Sequence, residues 1–388
     1  MRQVYFDNAA TTSIHPRVID RMIEVMRDVP GNPSSTHAVG RKAKSLIENA
    51  RKTIAKQLNV TAGEIIFTSG GTEADNLIIN SCVRDLGVEQ IITSPIEHHA
   101  VVHAVEQMEN QYDVEIKLVD IKACGSVDLD SLKNLLKASA KKKLVSLMHI
   151  NNEIGNMLDI DAVSQLCKKN DALFHSDMVQ SVGHFKIDLQ ATPVDFIAAS
   201  AHKFHGPKGV GFAYIRKNSK LRPLIFGGGQ ERGARAGTES VHNIVGLEEA
   251  FKISYENLDQ DRKHIQQIKD YFKDSLKAKV PGVKFNGNCG DNDKSTYTLL
   301  NVCLPVPPEK NLLLLFQLDL KGIACSKGSA CQSGSDQGSH VLNAFLSDED
   351  KQKPSVRFSF SHENTKDDVD YTVDVIKQFI EEPAFSAS

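Results

Sequence analysis

The sequence has no apolar run long enough to cross a membrane and no excess of either charge. The longest strongly apolar run, residues 312–316, is far shorter than the roughly 18 residues that a transmembrane helix requires. The 46 basic and 49 acidic residues give a net charge of −3, so nucleic-acid binding is not expected. Asp7 and Asn8 occupy the place where a secretory signal would have its apolar core, and export by that route is not expected. The 388 residues are enough for about two globular domains.

The seven cysteines form no CxxC pair, and their number is odd. The missing pairs argue against a structural zinc site, so no metal site is predicted. Because seven thiols cannot all be paired within one chain, at least one free thiol is expected. The absence of a disulfide framework indicates a reducing compartment, and we expect the protein in the cytoplasm.

Short apolar runs alternate with helical stretches between residues 60 and 216, and several of these runs end in small or polar residues. This alternation predicts an α/β domain whose sheet is mostly parallel. Polar residues directly after strand ends are where such a sheet assembles a ligand site. The predicted strands are residues 64–68, 90–93, 143–150, 172–175, 195–199 and 210–215.

A second, smaller α+β domain is predicted after a long polar helix near residues 265–276. Because the sequence has no internal repeat and no long linker, the two domains should pack closely, with a catalytic site between them. The predicted elements of this domain are a strand at 296–304, a helix at 312–318, a strand at 355–360 and a closing helix through 369–380. The predicted large domain spans 16–257, and the small domain spans 1–15 and 258–388.

The segment TSGGTEADN, residues 68–76, follows a predicted strand and opens a helix. Its glycines permit a tight turn, and the first N–H groups of the helix would point at an anion such as a phosphate. It has neither the lysine of a nucleoside-triphosphate loop nor the GxGxxG of a dinucleotide site. On its own, the segment is equally compatible with a simple tight connection.

Two further strand ends supply a lysine and an acid. Lys203, in SAHKFHGPK, follows a buried strand and would be nucleophilic if its amine were desolvated, whereas a solvated loop lysine is the alternative. Asp177 follows the predicted strand 172–175. A Schiff-base lysine, an anionic partner for the pyridinium nitrogen and a phosphate cup are what a pyridoxal phosphate enzyme requires. The sequence therefore predicts pyridoxal 5′-phosphate as the cofactor.

Nine motifs follow one another in order along nearly the whole chain: YFDNAATT, GNPSSTH, TSGGTEADN, EHHAV, MHINNEIG, SAHKFHGPKGVG, GGGQERGARAGTES, GSACQSGS and VRFSFS. In these motifs the sequence resembles the cysteine desulfurases of the NifS/IscS type, which belong to the class V aminotransferase family. The resemblance implies the aspartate-aminotransferase-like α/β fold, with a mostly parallel seven-stranded sheet in the large domain. It also implies an active homodimer with shared sites.

The resemblance assigns roles to the matching positions. Lys203 would hold the cofactor and then remove the Cα proton of the substrate, Asp177 would keep the pyridine nitrogen protonated, and His98 would stack on the ring and relay protons. Arg357 would clamp the substrate carboxylate, with a surface ion pair as its alternative. The other cofactor contacts would come from Gly71, Thr72, Asn152 (which would also touch the substrate), Gln180, Ser200, His202 and the partner subunit's Thr238.

Cys331 lies in SKGSACQSGS, a stretch so rich in glycine and serine that it predicts an exposed loop at about residues 324–340. These surroundings favour a reactive thiolate rather than a buried thiol. The resemblance implies that L-cysteine is converted to L-alanine and that its sulfur forms a persulfide on Cys331. An acceptor protein, such as an iron–sulfur scaffold, would then take the sulfur. Cys325 is either a second sulfur carrier or a core residue.

Two other functions remain open on the sequence. Another pyridoxal phosphate enzyme, such as a selenocysteine lyase or an aminotransferase, would need Lys203 and Asp177 but not Cys331. The other alternative is a non-catalytic or metal-binding protein, in which the metal ligands would be His98, His99, His202, His205 and Asp177. This function would not explain the presence of Lys203 and the glycine-rich turn.

Overall fold

The computed structural model describes residues 2–217, 219, 221–307, 310–311, 313–327 and 338–382. The described strands are β1 (Val4–Tyr5), β2 (Ile65–Thr68), β3 (Gln90–Thr93), β4 (Glu115–Leu118), β5 (Lys143–Ser146), β6 (Leu173–Asp177), β7 (Phe196–Ser200), β8 (Gly211–Ile215), β9 (Lys284–Phe285), β10 (Leu299–Cys303), β11 (Ile323–Ala324) and β12 (Ser355–Ser359). The described helices are α1 (Pro16–Asp28), α2 (Ala38–Gln57), α3 (Gly71–Leu86), α4 (His99–Gln111), α5 (Leu129–Lys137), α6 (Ile160–Lys169), α7 (Val241–Glu256), α8 (Leu258–Lys279), α9 (Leu314–Leu320), α10 (His340–Asn343), α11 (Asp348–Lys351) and α12 (Lys366–Glu381).

The central sheet has seven strands in the order β2-β8-β7-β6-β5-β3-β4. Strands β4, β3, β5, β6 and β7 pair in parallel, and β8 pairs antiparallel with both β7 and β2. The carboxyl ends of the parallel strands therefore lie at one edge of the sheet, where the loops that follow them meet. This arrangement confirms the predicted fold class.

Burial on both faces explains why most strands of this sheet read as continuous apolar runs. Strands β2, β7 and β8 are buried along their whole length. One face packs against α3 and α4, and the other packs against α2, α6 and α7. All six predicted strands of this region are present. The sequence missed β4, because this edge strand is half exposed and carries the mixed sequence EIKL.

A second unit is built on a three-stranded antiparallel sheet in the order β12-β10-β9, against which α8 and α12 pack. Its core contains Phe6, Phe272 and Phe358, and the rings of Phe6 and Phe272 meet edge to face at 5.4 Å. Strand β1 pairs with β11, so the first residues of the chain belong to this core. We call this the small-sheet unit, and the unit around the seven-stranded sheet the large-sheet unit.

The predicted elements of the small-sheet unit are close to the observed ones, with β10, α9, β12 and α12 in the expected order. Helix α7 ends at Glu256 and α8 begins at Leu258, near the predicted boundary between residues 257 and 258. The domain boundaries themselves stay a prediction. In the described part of the chain, no helix is both long enough and apolar enough to span a bilayer.

A buried ion pair ties α2 to the first strand of the large sheet. Arg51 and Glu231 form two hydrogen bonds of 2.7 and 2.9 Å, and both side chains are almost fully buried. Arg51 also donates to the Ile65 carbonyl, and Glu231 accepts from the Phe67 N–H. Since each charge is buried, each depends on the other for compensation.

We expect Glu231→Gln to lower the free energy of unfolding by about 3 kcal/mol, because the buried Arg51 would lose its two-bonded carboxylate and keep only the 3.2 Å contact with Glu48. The matched control is Lys186→Gln, which removes an exposed ion pair with Asp259 and should cost less than about 0.5 kcal/mol. Urea unfolding of both variants measures the difference. Equal, small losses would show that the buried pair contributes no more than a surface pair.

Candidate active site

Ten of the twelve predicted site residues line one cavity of about 210 Å³ at the carboxyl edge of the large sheet. The ends of β2, β3, β5, β6 and β7 and the loops after them form most of its wall, and Ala9, Ala10 and β12 of the small-sheet unit contribute the rest. The cavity therefore lies where the two units meet. The ten residues are Gly71, Thr72, His98, Asn152, Asp177, Gln180, Ser200, His202, Lys203 and Arg357.

Lys203 is held by two backbone carbonyls of the amino-terminal segment. It ends a short 3-10 turn that directly follows β7. Its Nζ donates to the carbonyl oxygens of Ala9 at 2.6 Å and Ala10 at 2.8 Å. The Ala9 oxygen also accepts from Gln180 Nε2 at 3.0 Å. The amine is thus positioned in the cavity by residues that the sequence analysis had not assigned to the site.

Hydrogen-bond donors gather at the glycine-rich end of the cavity. Helix α3 begins at Gly71, so the N–H groups of its first turn are open to an anion. A Cβ atom on Gly71 would lie 2.6 Å from the Val179 side chain, and this close approach explains the glycine. The side chains of Thr72, Ser200 and His202 line the same cavity. This donor set fits a phosphate group.

Asp177 is a buried carboxylate at the end of β6. Its Oδ1 accepts from the Val179 N–H at 2.8 Å. Burial raises the pKa of Asp177 to about 6, and the Val179 N–H and the charge of Lys203 oppose that rise. A cation in the cavity would favour the ionised form. The site therefore fits a protonated pyridine nitrogen as well as a phosphate.

Two further acids lie behind Asp177. Burial, followed by the charges of Asp177 and Glu97, raises the pKa of Asp75 well above its usual range. Burial also raises the pKa of Glu97 to about 8, although Ser94 and the Met148 N–H donate to its carboxyl oxygens. Glu97 therefore holds its proton at neutral pH, and burial favours the neutral form of Asp75 as well. Asp75 lies in TSGGTEADN, but the sequence gives no sign that it faces the cavity.

His98 and His99 have different surroundings, although they are neighbours. His98 caps α4, since its Nδ1 accepts from the Ala100 N–H at 3.2 Å. Burial and the charge of Lys203 lower the pKa of His98 to about 4, so its neutral ring carries the proton on Nε2. The His99 ring instead stacks on His103 at 5.1 Å and lies 4.4 Å from the His340 ring, outside the cavity lining.

Arg357 is fully buried and is fixed by Asp7 and Asn152. Its Nη2 lies 2.9 Å from Asp7 Oδ1, and its Nη1 donates to the Asn152 carbonyl at 2.8 Å. Within the described residues its Nε is buried and has no hydrogen-bond partner. The Arg357 side chain also lines the cavity, where a guanidinium can bind a carboxylate. The alternative of a surface ion pair is wrong, because the side chain is only 1% exposed.

Cys331 lies outside the described residues, but both described ends of its segment are fixed beside the cavity. Ser326 exchanges two backbone hydrogen bonds with Arg357, and its hydroxyl donates to Asp7 at 2.8 Å. At the other end, the Ser339 hydroxyl donates to Glu153, the neighbour of Asn152 in the chain. The 12 residues from 327 to 338 connect these two points.

Cys325 and Thr238 differ from the other candidates in their surroundings. Cys325 packs against the core of the small-sheet unit, and burial raises the pKa of its thiol to about 12. This environment favours the interpretation of Cys325 as a core residue. Thr238 is exposed and does not line the cavity of its own chain.

The metal-binding alternative is not supported by the side-chain positions. Among the described residues, the group of histidine and acidic side chains close enough to share a metal ion contains His205, but none of His98, His99, His202 and Asp177. Three of these four line the cavity together with Lys203.

A family model, curated relatives and solved structures all match nearly the whole chain. The family model of class-V aminotransferases matches residues 4–372. The cysteine desulfurase IscS of Dictyoglomus turgidum is 39% identical over 382 residues, which cover 98% of this chain and 95% of that protein. The cysteine desulfurase IscS of Photobacterium profundum is 38% identical over 385 residues, covering 97% and 93%. A solved NifS-like protein superimposes with a TM-score of 0.88 at 36% identity, and one from Rickettsia africae with 0.87 at 34%; each comparison covers 97% of this chain and 99% of the other.

We expect Glu97→Gln to change how stability depends on pH. Between about pH 4.3, where an exposed glutamate titrates, and pH 8, the folded chain holds a proton on Glu97 that the unfolded chain has released. The stability of the wild type should therefore fall by about 1.4 kcal/mol per pH unit from this group, and should level off above pH 8. The glutamine variant lacks this loss.

Urea unfolding from pH 5 to pH 8 should thus show that the free energy of unfolding of Glu97→Gln, relative to that of the wild type, increases as the pH rises. Glu109→Gln, a change at an exposed position of α4, is the control. Its free energy of unfolding should depend on pH in the same way as that of the wild type. Parallel profiles for Glu97→Gln as well would contradict the protonated state of Glu97.

Proposed function

This chain belongs to the class-V aminotransferase family, and we propose that it is a cysteine desulfurase whose persulfide forms on Cys331. It depends on pyridoxal phosphate, as enzymes of this kind do. The observation that carries the assignment of Cys331 is the position of the ends of its segment. Ser326 is bound to Arg357, which lines the same cavity as Lys203, and Ser339 is bound to Glu153, the chain neighbour of the lining residue Asn152.

Different residues of the cavity would bind different parts of the cofactor. The first turn of α3, with Gly71 and Thr72, would hold the phosphate together with Ser200 and His202. The Asp177 carboxylate would bind the protonated pyridine nitrogen, and Gln180 would donate to the ring oxygen. When bound, pyridoxal phosphate supplies an electron sink for the negative charge that develops at the Cα of an amino acid.

Arg357 and Asn152 would bind and orient the substrate. The guanidinium is already fixed by Asp7 on one side and by the Asn152 carbonyl on the other, so little side-chain freedom is lost when L-cysteine binds. Its buried position strengthens the attraction to the α-carboxylate of the substrate. This pairing supports an α-amino acid as the substrate.

Lys203 would take the Cα proton of the substrate through Nζ. His98 would lie against the cofactor ring, with Nε2 as the atom that exchanges protons. The Cys331 thiolate would attack the sulfur of the substrate, so that an S–S bond forms and the Cβ–S bond breaks. The electron pair of the broken bond stays with Cβ, which takes up a proton and leaves as part of L-alanine.

We further propose a homodimer, a protein acceptor for the sulfur and a cytoplasmic location. Thr238 is exposed and lies away from its own cavity, so it can reach a phosphate only in a second copy of the chain. An acceptor protein is required because the persulfide on Cys331 must be removed before the next turnover. The thiol must begin each cycle reduced, as it is in the cytoplasm.

Cys331→Ser should lower alanine release from L-cysteine by at least about a hundredfold, because no thiolate remains to take the sulfur. Cys325→Ser is the matched control, since it removes a thiol six residues away that burial keeps protonated. Its rate should stay close to that of the wild type. Chromatographic assay of alanine, with equal cofactor absorbance in all three proteins, gives the comparison.

Wild-type alanine release by Cys331→Ser would exclude this assignment. Parallel assays with L-selenocysteine and with an amino-group acceptor separate the other pyridoxal phosphate reactions. A selenocysteine lyase would release alanine from selenocysteine without Cys331, and an aminotransferase would consume the acceptor.

Thr238→Val should weaken the binding of pyridoxal phosphate by about tenfold, because a hydroxyl donor to a charged group is lost. Ser240→Ala, two residues away on the same segment, should leave cofactor affinity unchanged. Titration of the cofactor-free proteins, followed by absorbance, measures both affinities. Unchanged binding in Thr238→Val would contradict a site shared between two subunits.

A further inference from the structure

A second group of ligating side chains includes His205, which lies two residues after Lys203 in the chain. One nitrogen or oxygen atom from each of His205, His362 and Glu363 lies within 4.8 Å of the other two. In the described part of the chain, this is the one group of at least three histidine, cysteine or acidic side chains that is close enough to share a metal ion. His205 belongs to the large-sheet unit, and the other two follow β12 of the small-sheet unit.

His205 is held in the tautomer that a metal ion requires. Its Nδ1 lies 2.9 Å from the Ser13 carbonyl and donates to it, so the neutral ring has an unprotonated Nε2. A backbone carbonyl on the second ring nitrogen is the usual way in which proteins orient a metal-binding histidine. Its N–H donates to Thr12 Oγ1 at 2.8 Å, and its φ of 63° is uncommon for a residue with a side chain. Such local strain often accompanies functional sites.

The loop that carries His362 and Glu363 is fixed as well. The Asn364 side chain accepts from the Ser361 N–H at 2.8 Å, and the Glu363 N–H donates to the Ser361 hydroxyl. The Ser13 hydroxyl donates to Glu363 Oε2 at 2.8 Å. Ser13 therefore contacts both sides of the cluster, one through its carbonyl and one through its hydroxyl.

The cluster opens on a small cavity, whose wall also contains the apolar side chains of Ala250 and Ile253. This cavity of about 110 Å³ is lined by His205, His362, His15 and Asp261, and it can hold an ion with several water molecules. His15 differs from His205 in its tautomer. Its Nδ1 accepts from the Arg17 N–H at 3.1 Å, which places the proton on Nε2 and leaves no free lone pair for an ion.

We propose that His205, His362 and Glu363 bind one divalent transition-metal ion of the Zn²⁺ kind at the junction of the two units. Two imidazoles and one carboxylate are the ligands that Zn²⁺ and Co²⁺ accept, with water in the remaining position. The absence of CxxC pairs gave no sign of such a site, since its ligands come from segments about 150 residues apart. A bound ion would join the segment of Lys203 to the small-sheet unit and stabilise the folded protein.

Titration of the holoenzyme with Co²⁺ tests the proposal. The Cys331→Ser variant serves as the parent protein, so that this thiol cannot bind the metal. The visible d–d bands of Co²⁺ lie at longer wavelength than the cofactor band and report nitrogen and oxygen ligands. One Co²⁺ per chain should bind, and His362→Ala and Glu363→Gln should each weaken the affinity by at least about tenfold.

His103→Ala is the matched control, because it removes an exposed histidine of α4 that lies outside the cluster. Its affinity should equal that of the parent. The midpoint of thermal unfolding should also rise with Co²⁺ in the parent and the control, but much less in the two cluster variants. The proposal is wrong if the parent shows no saturable binding at millimolar Co²⁺, or if both cluster variants bind as tightly as the parent.

Discussion

The site depends on the hydrogen bonds of one irregular segment, residues 7–13, which begins with a turn. Its carbonyls hold the amine of Lys203, and Asp7 holds both Arg357 and the first residues of the Cys331 segment. Thr12 accepts from the backbone of His205. On its other side, Ala9 donates to the Ser359 side chain at the end of β12. The segment thus connects the end of the large sheet to the small-sheet unit, and a shift in it would move the amine and the carboxylate clamp together.

The second constraint is charge. Three acids, Asp75, Glu97 and Asp177, are buried close together, and burial favours the neutral form of each; the charge of Asp177 raises the pKa of Asp75 and Glu97 further. Only Asp177 has the opposing charge of Lys203 and a backbone N–H to stabilise its ionised form. Asp177 is therefore the acid of the three whose ionised form is best stabilised, which suits the proposed contact with a protonated ring nitrogen.

The sequence predicted the parts of the molecule that have a local signal. Strands buried on both faces read as apolar runs, and the glycine-rich turn, Lys203 and Asp177 each follow such a run. The half-exposed strand β4 has no such signal and was missed. Asp7, Asp75 and Glu97 were not recognised either, because their roles arise from contacts with residues distant in the chain. The cluster of His205 with Glu363 likewise depends on packing between the two units. The position of Cys331 lies outside the described residues, and its role stays a prediction.

The central claim is that Cys331 receives the sulfur of the substrate, and mass spectrometry of the protein after one turnover tests it most directly. The holoenzyme is incubated with L-cysteine in the absence of reductant and acceptor, and then digested with trypsin. Cleavage after Lys327 separates Cys325 from Cys331. The expected result is one additional sulfur atom on the peptide that contains Cys331 and none on the peptide that contains Cys325. Formation of alanine with an unmodified Cys331 peptide would contradict the claim.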